Sequence, residues 1–208
     1  MRNLGMFPAA AACLMIAAFA ARAATPTPAE DMKGTAGISV GGGLTVPTGK
    51  LADKNEANMG AGWLVNGGLD YFVTKDIGIG VDGSYTTMAN KDDSDLKAKT
   101  AQFGVHGRYL VPSGGPLVPY LQLGLGMYNR KIEYRFSGTS FSVSDTKAGL
   151  NGGVGVGYKV NDWIGLGVSG AYHFTFGKLE AEGEEIMQDW NYVAFAAGID
   201  FNIKRAAR

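Results

Sequence analysis

The stretch LVPYLQLGLGMYN at residues 117–129 points most directly to the fold, because it places an apolar side chain at every second position. Leu121, Leu123 and Leu125 share one face of this stretch, while Tyr120 and Gln122 share the other. A period of two is typical of a β-strand whose two faces meet different surroundings. The same pattern recurs from residue 37 onward, so the sequence predicts a protein built from repeated strands.

Eight such segments are predicted, at 36–47, 61–73, 77–88, 99–111, 117–129, 148–159, 163–176 and 190–203. Three connections between them are short and contain turn-forming residues, at 74–76, 112–116 and 160–162. Four connections are longer and polar, at 48–60, 89–98, 130–147 and 178–189. Short and long connections that alternate in this way predict an all-β, eight-stranded, antiparallel up-and-down barrel.

The two faces of the predicted strands indicate that lipid lies outside the barrel. Charged residues make up 18% of the chain, against about 25% in an ordinary globular protein. The polar face consists mainly of Gly, Ser, Asn, Gln and Tyr, whereas the apolar face is bulky and continuous. We therefore predict a transmembrane barrel, closed because unpaired backbone groups at an open edge are costly in lipid. A soluble barrel or a sandwich with scattered aromatics is the alternative.

The aromatic residues divide into two groups, as expected for girdles at the two membrane interfaces. The group near the short turns comprises Tyr71, Tyr109, Tyr158, Trp163 and Phe201. The group near the long loops comprises Trp63, Tyr85, Tyr128, Phe174, Phe176 and Trp190. Alternation places Val105, Leu123 and Val168 toward lipid near the middle of the membrane. Asn58 lies in the first long connection, where we expect an arginine to be tolerated.

The N-terminus predicts export. Arg2 precedes an apolar run at 9–21, and Ala21, Arg22 and Ala23 match a small-x-small cleavage site. We expect residues 1–23 to be a signal peptide, 24–34 a flexible leader, 35–203 the barrel and 204–208 a C-terminal extension. An uncleaved anchor helix, or a lipoprotein signal at Cys13, is the alternative. Without residues 1–23 the chain has 17 basic and 19 acidic residues and no cysteine, so nucleic acid is not an expected partner.

The inward face carries four charges, which we predict to form a structural polar cluster: Asp70, Asp82, Arg108 and Asp200. Asp70, Arg108 and Asp200 each lie about three residues from the short-turn end of their strand. Buried charges are unfavourable unless they are paired. We therefore expect Arg108 to pair with one of these aspartates. The alternative is a gate in a small pore.

Neither a metal site, a cofactor nor an enzyme activity is expected. His106 and His173 are the only histidines, and no HExxH pattern or cysteine accompanies them. Ser169 shares a face with His173, but residues four apart on a strand are separated by roughly 13 Å, too far for nucleophile and base to meet. The acidic connection at 178–189 is either solvated or a site for divalent cations or a basic partner.

The chain after the export signal resembles small outer-membrane barrels of the OmpA and OmpX type. The resemblance rests on the export signal, the eight alternating segments, and glycine-rich strands such as PYLQLGLGMY at 119–128 and GGVGVGYKV at 152–160. It implies a monomer in the outer membrane of a Gram-negative cell, in contact with membrane lipid and lipopolysaccharide and inserted by the outer-membrane assembly machinery. One departure is that residues 204–208 follow Phe201 and Ile203, whereas members usually end on an aromatic strand residue.

Three functional hypotheses follow. The first is a structural or surface-interaction role through the extracellular loops. The second is a narrow pore or a conduit for small hydrophobic molecules. The third, least favoured because the histidine and serine spacing opposes it, is a lipid-modifying enzyme.

Overall fold

The computed structural model describes residues 32–136, 139–177, 179–181, 184–187 and 190–204. The predicted signal peptide at 1–23, the leader up to residue 31 and residues 205–208 of the predicted extension lie outside these described residues. Within the described part of the chain, no helix is long and apolar enough to cross a membrane.

Eight strands close into an antiparallel barrel in which sequence neighbours pair and the first strand pairs with the last. The first seven are β1 (Thr35–Thr48), β2 (Gly62–Phe72), β3 (Ile77–Ala89), β4 (Leu96–Leu110), β5 (Leu117–Phe136), β6 (Thr139–Lys159) and β7 (Ile164–Thr175). A separate hairpin of β8 (Leu179–Ala181) and β9 (Glu184–Met187) follows, and β10 (Asn191–Lys204) completes the barrel. A 3-10 turn, Gly49–Leu51, comes directly after β1. The predicted fold class is confirmed.

Closure between β1 and β10 extends along both strands, from Thr35 opposite Lys204 to Thr48 opposite Asn191. No edge of the barrel wall is therefore left unpaired at the height of the membrane, which is what a lipid environment requires of a sheet. The predicted lipid-facing residues lie on the outer surface, and the exposed fractions are 74% for Leu123, 56% for Val168 and 51% for Val105. Their predicted orientation is confirmed.

The predicted long loop at 130–147 is wrong, because β5 continues to Phe136 and β6 begins at Thr139. The alternation does continue beyond residue 129, with Arg130, Ile132 and Tyr134 on one face and Lys131 and Glu133 on the other. Beyond the membrane both faces of a strand meet polar surroundings. The contrast between apolar and polar faces that signals a membrane strand is lost there, although the backbone remains a strand.

Two residues assigned to the upper girdle lie inside the barrel instead. Tyr128 and Trp190 are both fully buried. Tyr128 lies an even number of residues from the inward-facing Gln122, and Trp190 lies two residues before the inward-facing Tyr192. The alternation of side chains along the strand therefore decides their orientation, and aromatic character alone does not.

The expectation that Asn58 tolerates arginine is also contradicted. Asn58 is buried, has a left-handed φ of 45° and donates a hydrogen bond from Nδ2 to Asp92 Oδ2 at 2.6 Å. The first long connection packs against the barrel top, so its residues are not uniformly solvated.

Candidate functional site

The barrel interior opens at the short-turn end into a vestibule of about 420 Å³. Its walls include Phe72, Leu110 and Val118, and its inner end is formed by Arg108 and Asp70. The vestibule therefore combines apolar walls with charged side chains at its inner end and at its mouth, where Lys75, Asp76, Lys159 and Asp162 line it.

The charged side chains at the end of the vestibule form a continuous network. Arg108 Nη1 lies 3.0 Å from Asp70 Oδ2, and His106 Nε2 lies 2.8 Å from Asp70 Oδ1. The other ring nitrogen, His106 Nδ1, lies 2.8 Å from Asp82 Oδ1. Gln102 Nε2 donates to Asp82 Oδ2 at 2.8 Å. One histidine thus joins two carboxylates, and one of these also holds the arginine.

The strand register explains why these side chains meet. Gly80 on β3 is opposite both Asp70 on β2 and His106 on β4. A Cβ at Gly80 would lie 2.8 Å from His106 Nε2 and would overlap the Leu69 carbonyl oxygen. Because glycine has no side chain, Asp70 and His106 reach each other across the intervening strand.

Arg108 is further held by neighbours on β5. Its Nε and Nη2 donate to Gln122 Oε1 at 3.2 and 2.9 Å. Its guanidinium carbon lies 4.8 Å from the centre of the Tyr120 ring. Arg108 and Tyr120 both line the vestibule and the chamber above it, so together they obstruct the passage between the two.

Of the four residues predicted as the polar cluster, the structure brings together Asp70, Asp82 and Arg108. Asp200 lies on β10, four strands from the β4 strand of Arg108 in either direction around the barrel, and among the described residues it has no ion pair. The bridging position of His106 is not evident from the sequence. The one sequence signal that points to it is that His106 lies two residues from Arg108 on the same strand and therefore faces the interior as well.

Above this network lies a polar chamber of about 130 Å³, lined by residues that include Asn66, Asn151 and Ser169. His173, at the top of the chamber, has Nδ1 3.1 Å from the Tyr128 hydroxyl and stacks on Tyr192 with ring centres 4.6 Å apart. The contacts of His173 are thus with two tyrosines rather than with a serine or a carboxylate. This arrangement gives no support to the lipid-modifying enzyme hypothesis.

The extracellular end of the interior is closed by an apolar plug. Its largest members, all fully buried or nearly so, are Trp190, Tyr192, Leu51, Met59 and Met88. Leu51 comes from the 3-10 turn after β1, and Trp190 directly precedes β10. Trp190 Nε1 donates to Thr100 Oγ1 at 2.8 Å, which satisfies its polar atom inside the plug.

A buried arginine lies beside the plug. Arg130 is fully buried and donates from Nε and Nη2 to the two oxygens of Asp145 at 2.9 and 2.5 Å. Its Nη1 lies 3.2 Å from both Thr175 Oγ1 and the Gly177 carbonyl oxygen. This bidentate pair links β5, β6 and the end of β7. The sequence does not predict this ion pair, because Arg130 and Asp145 both lie in the segment 130–147 that is expected to be a loop.

Beyond the plug, β4, β5 and β6 continue as a projecting sheet, called here the arm. Residues 139–148 of β6 pair with β5 along the arm, whereas the ladder between β6 and β7 begins only at Gly149. Tyr134 and Phe141 face each other across β5 and β6, and both are exposed. The arm therefore presents an aromatic pair outside the barrel, together with a β6 edge that has β8 beside part of it.

The outer surface of the arm is basic. Glu133 Oε2 lies 2.6 Å from Lys99 Nζ and 3.5 Å from Lys131 Nζ, and Glu133 Oε1 lies 4.0 Å from Arg135 Nη2. The hydrogen bond from Lys99 holds the pKa of the Glu133 carboxyl below its usual value. The ionised carboxylate of Glu133 thus lies close to three cationic side chains on this surface.

Metal binding receives no support from the described residues, which contain no cluster of three or more His, Cys, Asp or Glu side chains suited to an ion. The acidic connection at 178–189 lies partly outside the described residues, which include neither Glu182 nor Asp189.

A family model for the outer membrane protein beta-barrel domain matches residues 10–202. The chain belongs to this family. It is therefore a Gram-negative outer-membrane barrel, and its lipid-facing exterior agrees with this location. No curated protein sequence matches the chain.

Solved structures of small outer-membrane barrels are similar to this chain in fold. Neisserial surface protein A has 19% identity and a TM-score of 0.58, covering 83% of this chain and 98% of its own. The N-terminal barrel domain of Pseudomonas aeruginosa OprF has 17% identity and a TM-score of 0.52, covering 82% and 98%. Ail, the attachment invasion locus protein of Yersinia pestis, has 18% identity and a TM-score of 0.51, covering 83% and 100%.

Proposed function

We propose that this outer-membrane protein acts at the cell surface, with a closed barrel that anchors the projecting arm as an interaction surface. The observation that carries the proposal is the length of β5 and β6, at 20 and 21 residues. A strand crosses the membrane with about 9–11 residues. Roughly ten residues of each strand therefore remain for the extracellular space.

The arm has the features of a surface that binds another molecule. Its β6 edge at 139–147 extends beyond the ladder between β6 and β7, with β8 beside part of it, and extended peptides pair with strand edges. The aromatic pair Tyr134 and Phe141 is exposed, and aromatic residues are enriched at protein interfaces. The structure of Ail with the heparin analogue sucrose octasulfate provides a chemically defined probe to try first.

Shortening the arm tests the proposal. In the variant, Asn-Gly replaces residues 133–142, so that Ile132 and Val143, which are already cross-strand partners, are joined by a two-residue hairpin turn. Cells that display the full-length protein should adhere to heparin-coated surfaces more strongly than cells that display the variant. Heat-modifiable gel mobility must first establish that both barrels fold.

The matched control is a Lys54→Gln and Lys91→Gln variant in the other extracellular connections. It should adhere like the full-length protein. Equal adhesion by cells that display the full-length protein, the shortened variant or neither would contradict a surface-interaction role for the arm.

A conduit for small hydrophobic molecules is the second candidate, favoured by the apolar walls of the 420 Å³ vestibule. We rank it lower because Arg108, Tyr120 and the apolar plug obstruct the interior at two levels. The purified protein should give no stepwise conductance in a planar bilayer. Discrete channels that change when Trp190 is replaced by alanine would reverse this ranking.

The processing boundaries belong to the same proposal. We expect the mature protein to begin at Ala24 after removal of residues 1–23, and to retain residues 204–208 as a periplasmic extension. N-terminal sequencing and the intact mass of the protein purified from outer membranes check both ends. We also propose that the assembly machinery inserts it and that it is a monomer.

A further inference from the structure

We propose that the vestibule binds, from the periplasmic side, a primary amine that carries an apolar group, with the Asp200 carboxylate as the ion-pair partner of its ammonium. The short-turn end of such a barrel faces the periplasm. Arg108 and Tyr120 obstruct the passage from the vestibule to the chamber above it, so the proposal concerns binding and not transport. It does not depend on the role of the arm.

The charged side chains that line the vestibule leave one acid without a base. Those in the described part of the chain are four acids and three bases: Asp70, Asp76, Asp162, Asp200, Lys75, Arg108 and Lys159. Each base lies beside its own acid, with nitrogen–oxygen distances of 3.0 Å for Arg108 and Asp70, 3.8 Å for Lys75 and Asp76, and 2.8 Å for Lys159 and Asp162. Asp200 is the acid that remains. The lining therefore carries one uncompensated negative charge, which favours a cation as the ligand.

The carboxylate of Asp200 has open space beside it. Asp200 is only partly exposed, and among the described residues its side chain has neither an ion pair nor a hydrogen bond. Its cross-strand partner on β7 is Gly165. A Cβ at Gly165 would lie 3.9 Å from Asp200 Oδ2, and a Cβ at Gly167 would lie 3.3 Å from the same oxygen. Because both positions are glycine, no β7 side chain covers the carboxylate on this side.

A second oxygen acceptor lies on the same wall. Asn202 is two residues nearer the mouth than Asp200 on β10, so its side chain faces the interior as well. Its Oδ1 lies next to Gly37 and lines the vestibule, without a side-chain hydrogen bond in the described part of the chain. A primary ammonium has three N–H donors. It can donate to the Asp200 carboxylate and to the Asn202 amide oxygen, whereas a quaternary ammonium has no N–H to donate.

The walls away from β10 are apolar, which specifies the rest of the ligand. Val118 lies on β5, three strands from β10, and Leu110 lies on β4, four strands from it. Phe72, on β2, is buried and also lines the vestibule. A volume of about 420 Å³ falls within the range of about 300–1,000 Å³ that is typical of sites for small molecules. The ligand that fits has an ammonium at one end and an apolar group at the other.

An anion is a poorer fit, although Arg108 lies at the inner end of the vestibule. The Arg108 guanidinium already contacts Asp70 and Gln122 and lies against the Tyr120 ring. An anionic ligand would have to displace these partners, and its charge would add to that of Asp200.

The test uses phenylbutylamine as the probe and the protein purified from outer membranes into a non-ionic maltoside detergent. Isothermal titration calorimetry, corrected for titration into empty micelles, measures its affinity. Asp200→Asn should weaken binding roughly tenfold to a hundredfold, because the ammonium loses a charged hydrogen-bond partner. Gly165→Leu keeps the carboxylate but fills the space beside it, so it should weaken binding to a similar extent.

The matched control is Asp76→Asn, which removes the same charge from a carboxylate that already has Lys75 beside it. It should change the affinity by no more than about threefold, since charges at the mouth are screened by salt. Heat-modifiable gel mobility establishes that each variant is folded.

Three analogues of the probe test the chemistry of the site. Phenylbutanol, phenylbutyrate and the trimethylammonium form of the probe should all bind more weakly than phenylbutylamine. Unchanged affinity in the Asp200→Asn variant, an equal loss in the Asp76→Asn variant, or binding of phenylbutyrate as tight as that of the amine would each overturn the proposal. Equal binding of the trimethylammonium form would contradict the assignment of a primary amine.

Discussion

The Arg108 guanidinium contacts the Asp70 carboxylate inside the barrel, with 3.0 Å between Nη1 and Oδ2. The side chain of Asp70 is only 3% exposed, and its second oxygen contacts His106. A carboxylate that is buried with two nitrogen partners depends on both for its solvation. The change in stability when this pair is broken therefore tests whether the interior is a packed structure or a channel.

Arg108→Ala should lower the free energy of unfolding by about 3 kcal/mol or more, because it leaves Asp70 without its arginine in a crowded interior. Adding Asp70→Asn should recover part of that loss. Denaturant unfolding of the protein in detergent micelles measures both effects. Asp200→Asn is the matched control and should change the stability less, since Asp200 forms no ion pair among the described residues. An Arg108→Ala protein with unchanged stability and new ion conductance would indicate an open channel.

Arginine at Leu123, Val105 or Val168 should destabilise the barrel in phospholipid vesicles by about 2–4 kcal/mol, since each side chain faces lipid near the middle of the membrane. Asn55 is a better control than Asn58, because Asn55 is exposed in the first extracellular connection whereas Asn58 is buried. Asn55→Arg should leave the unfolding midpoint nearly unchanged. If all four variants unfolded alike, the assignment of the lipid face would be wrong.

Gly43→Ala should destabilise the barrel by about 1–3 kcal/mol, because the added Cβ would overlap the Phe195 carbonyl oxygen and the backbone would have to move. Gly37→Ala on the same strand serves as the control. A Cβ there meets its nearest atom at 3.6 Å, an ordinary contact. The temperature at which heat-modifiable gel mobility changes should fall for Gly43→Ala only. A similar fall for Gly37→Ala would mean that close approach is not the cause.

Arg130→Ala should destabilise the extracellular end by about 3–5 kcal/mol, because it leaves the Asp145 carboxylate without its bidentate partner beside the plug. Arg135→Ala, at an arginine side chain that is 62% exposed, should change stability by about 0.5 kcal/mol or less. Limited proteolysis of intact cells gives a second measurement, since the arm of the Arg130→Ala protein should be cleaved faster. Equal cleavage of both variants would show that Arg130 does not fix the arm.

The orientation of side chains within the membrane could be predicted from single strands. Leu123, Val105 and Val168 face lipid because alternation is a property of the extended backbone and needs no knowledge of the neighbouring strands. The same rule does not extend β5 and β6 through residues 130–147, since both faces of the strands carry polar residues there and the contrast between an apolar and a polar face is lost. Asn58 and Trp190 show a further limit, because both are buried by packing between segments that are distant in the sequence.

The sequence by itself determined that this protein is a membrane barrel: the period of two, the scarcity of charge in the strands and the alternating connections are all local properties of the chain. Tertiary structure alone decided which charges meet. Asp70, Arg108 and Asp200 have the same parity and similar depth, yet Arg108 pairs with Asp70. Asp70 lies two strands from Arg108, and the strand between them has Gly80, which carries no side chain, at this height. Asp200 lies four strands away around the wall. The depth of a residue along its strand can be predicted from the sequence, but its position around a closed barrel depends on strand register and on closure.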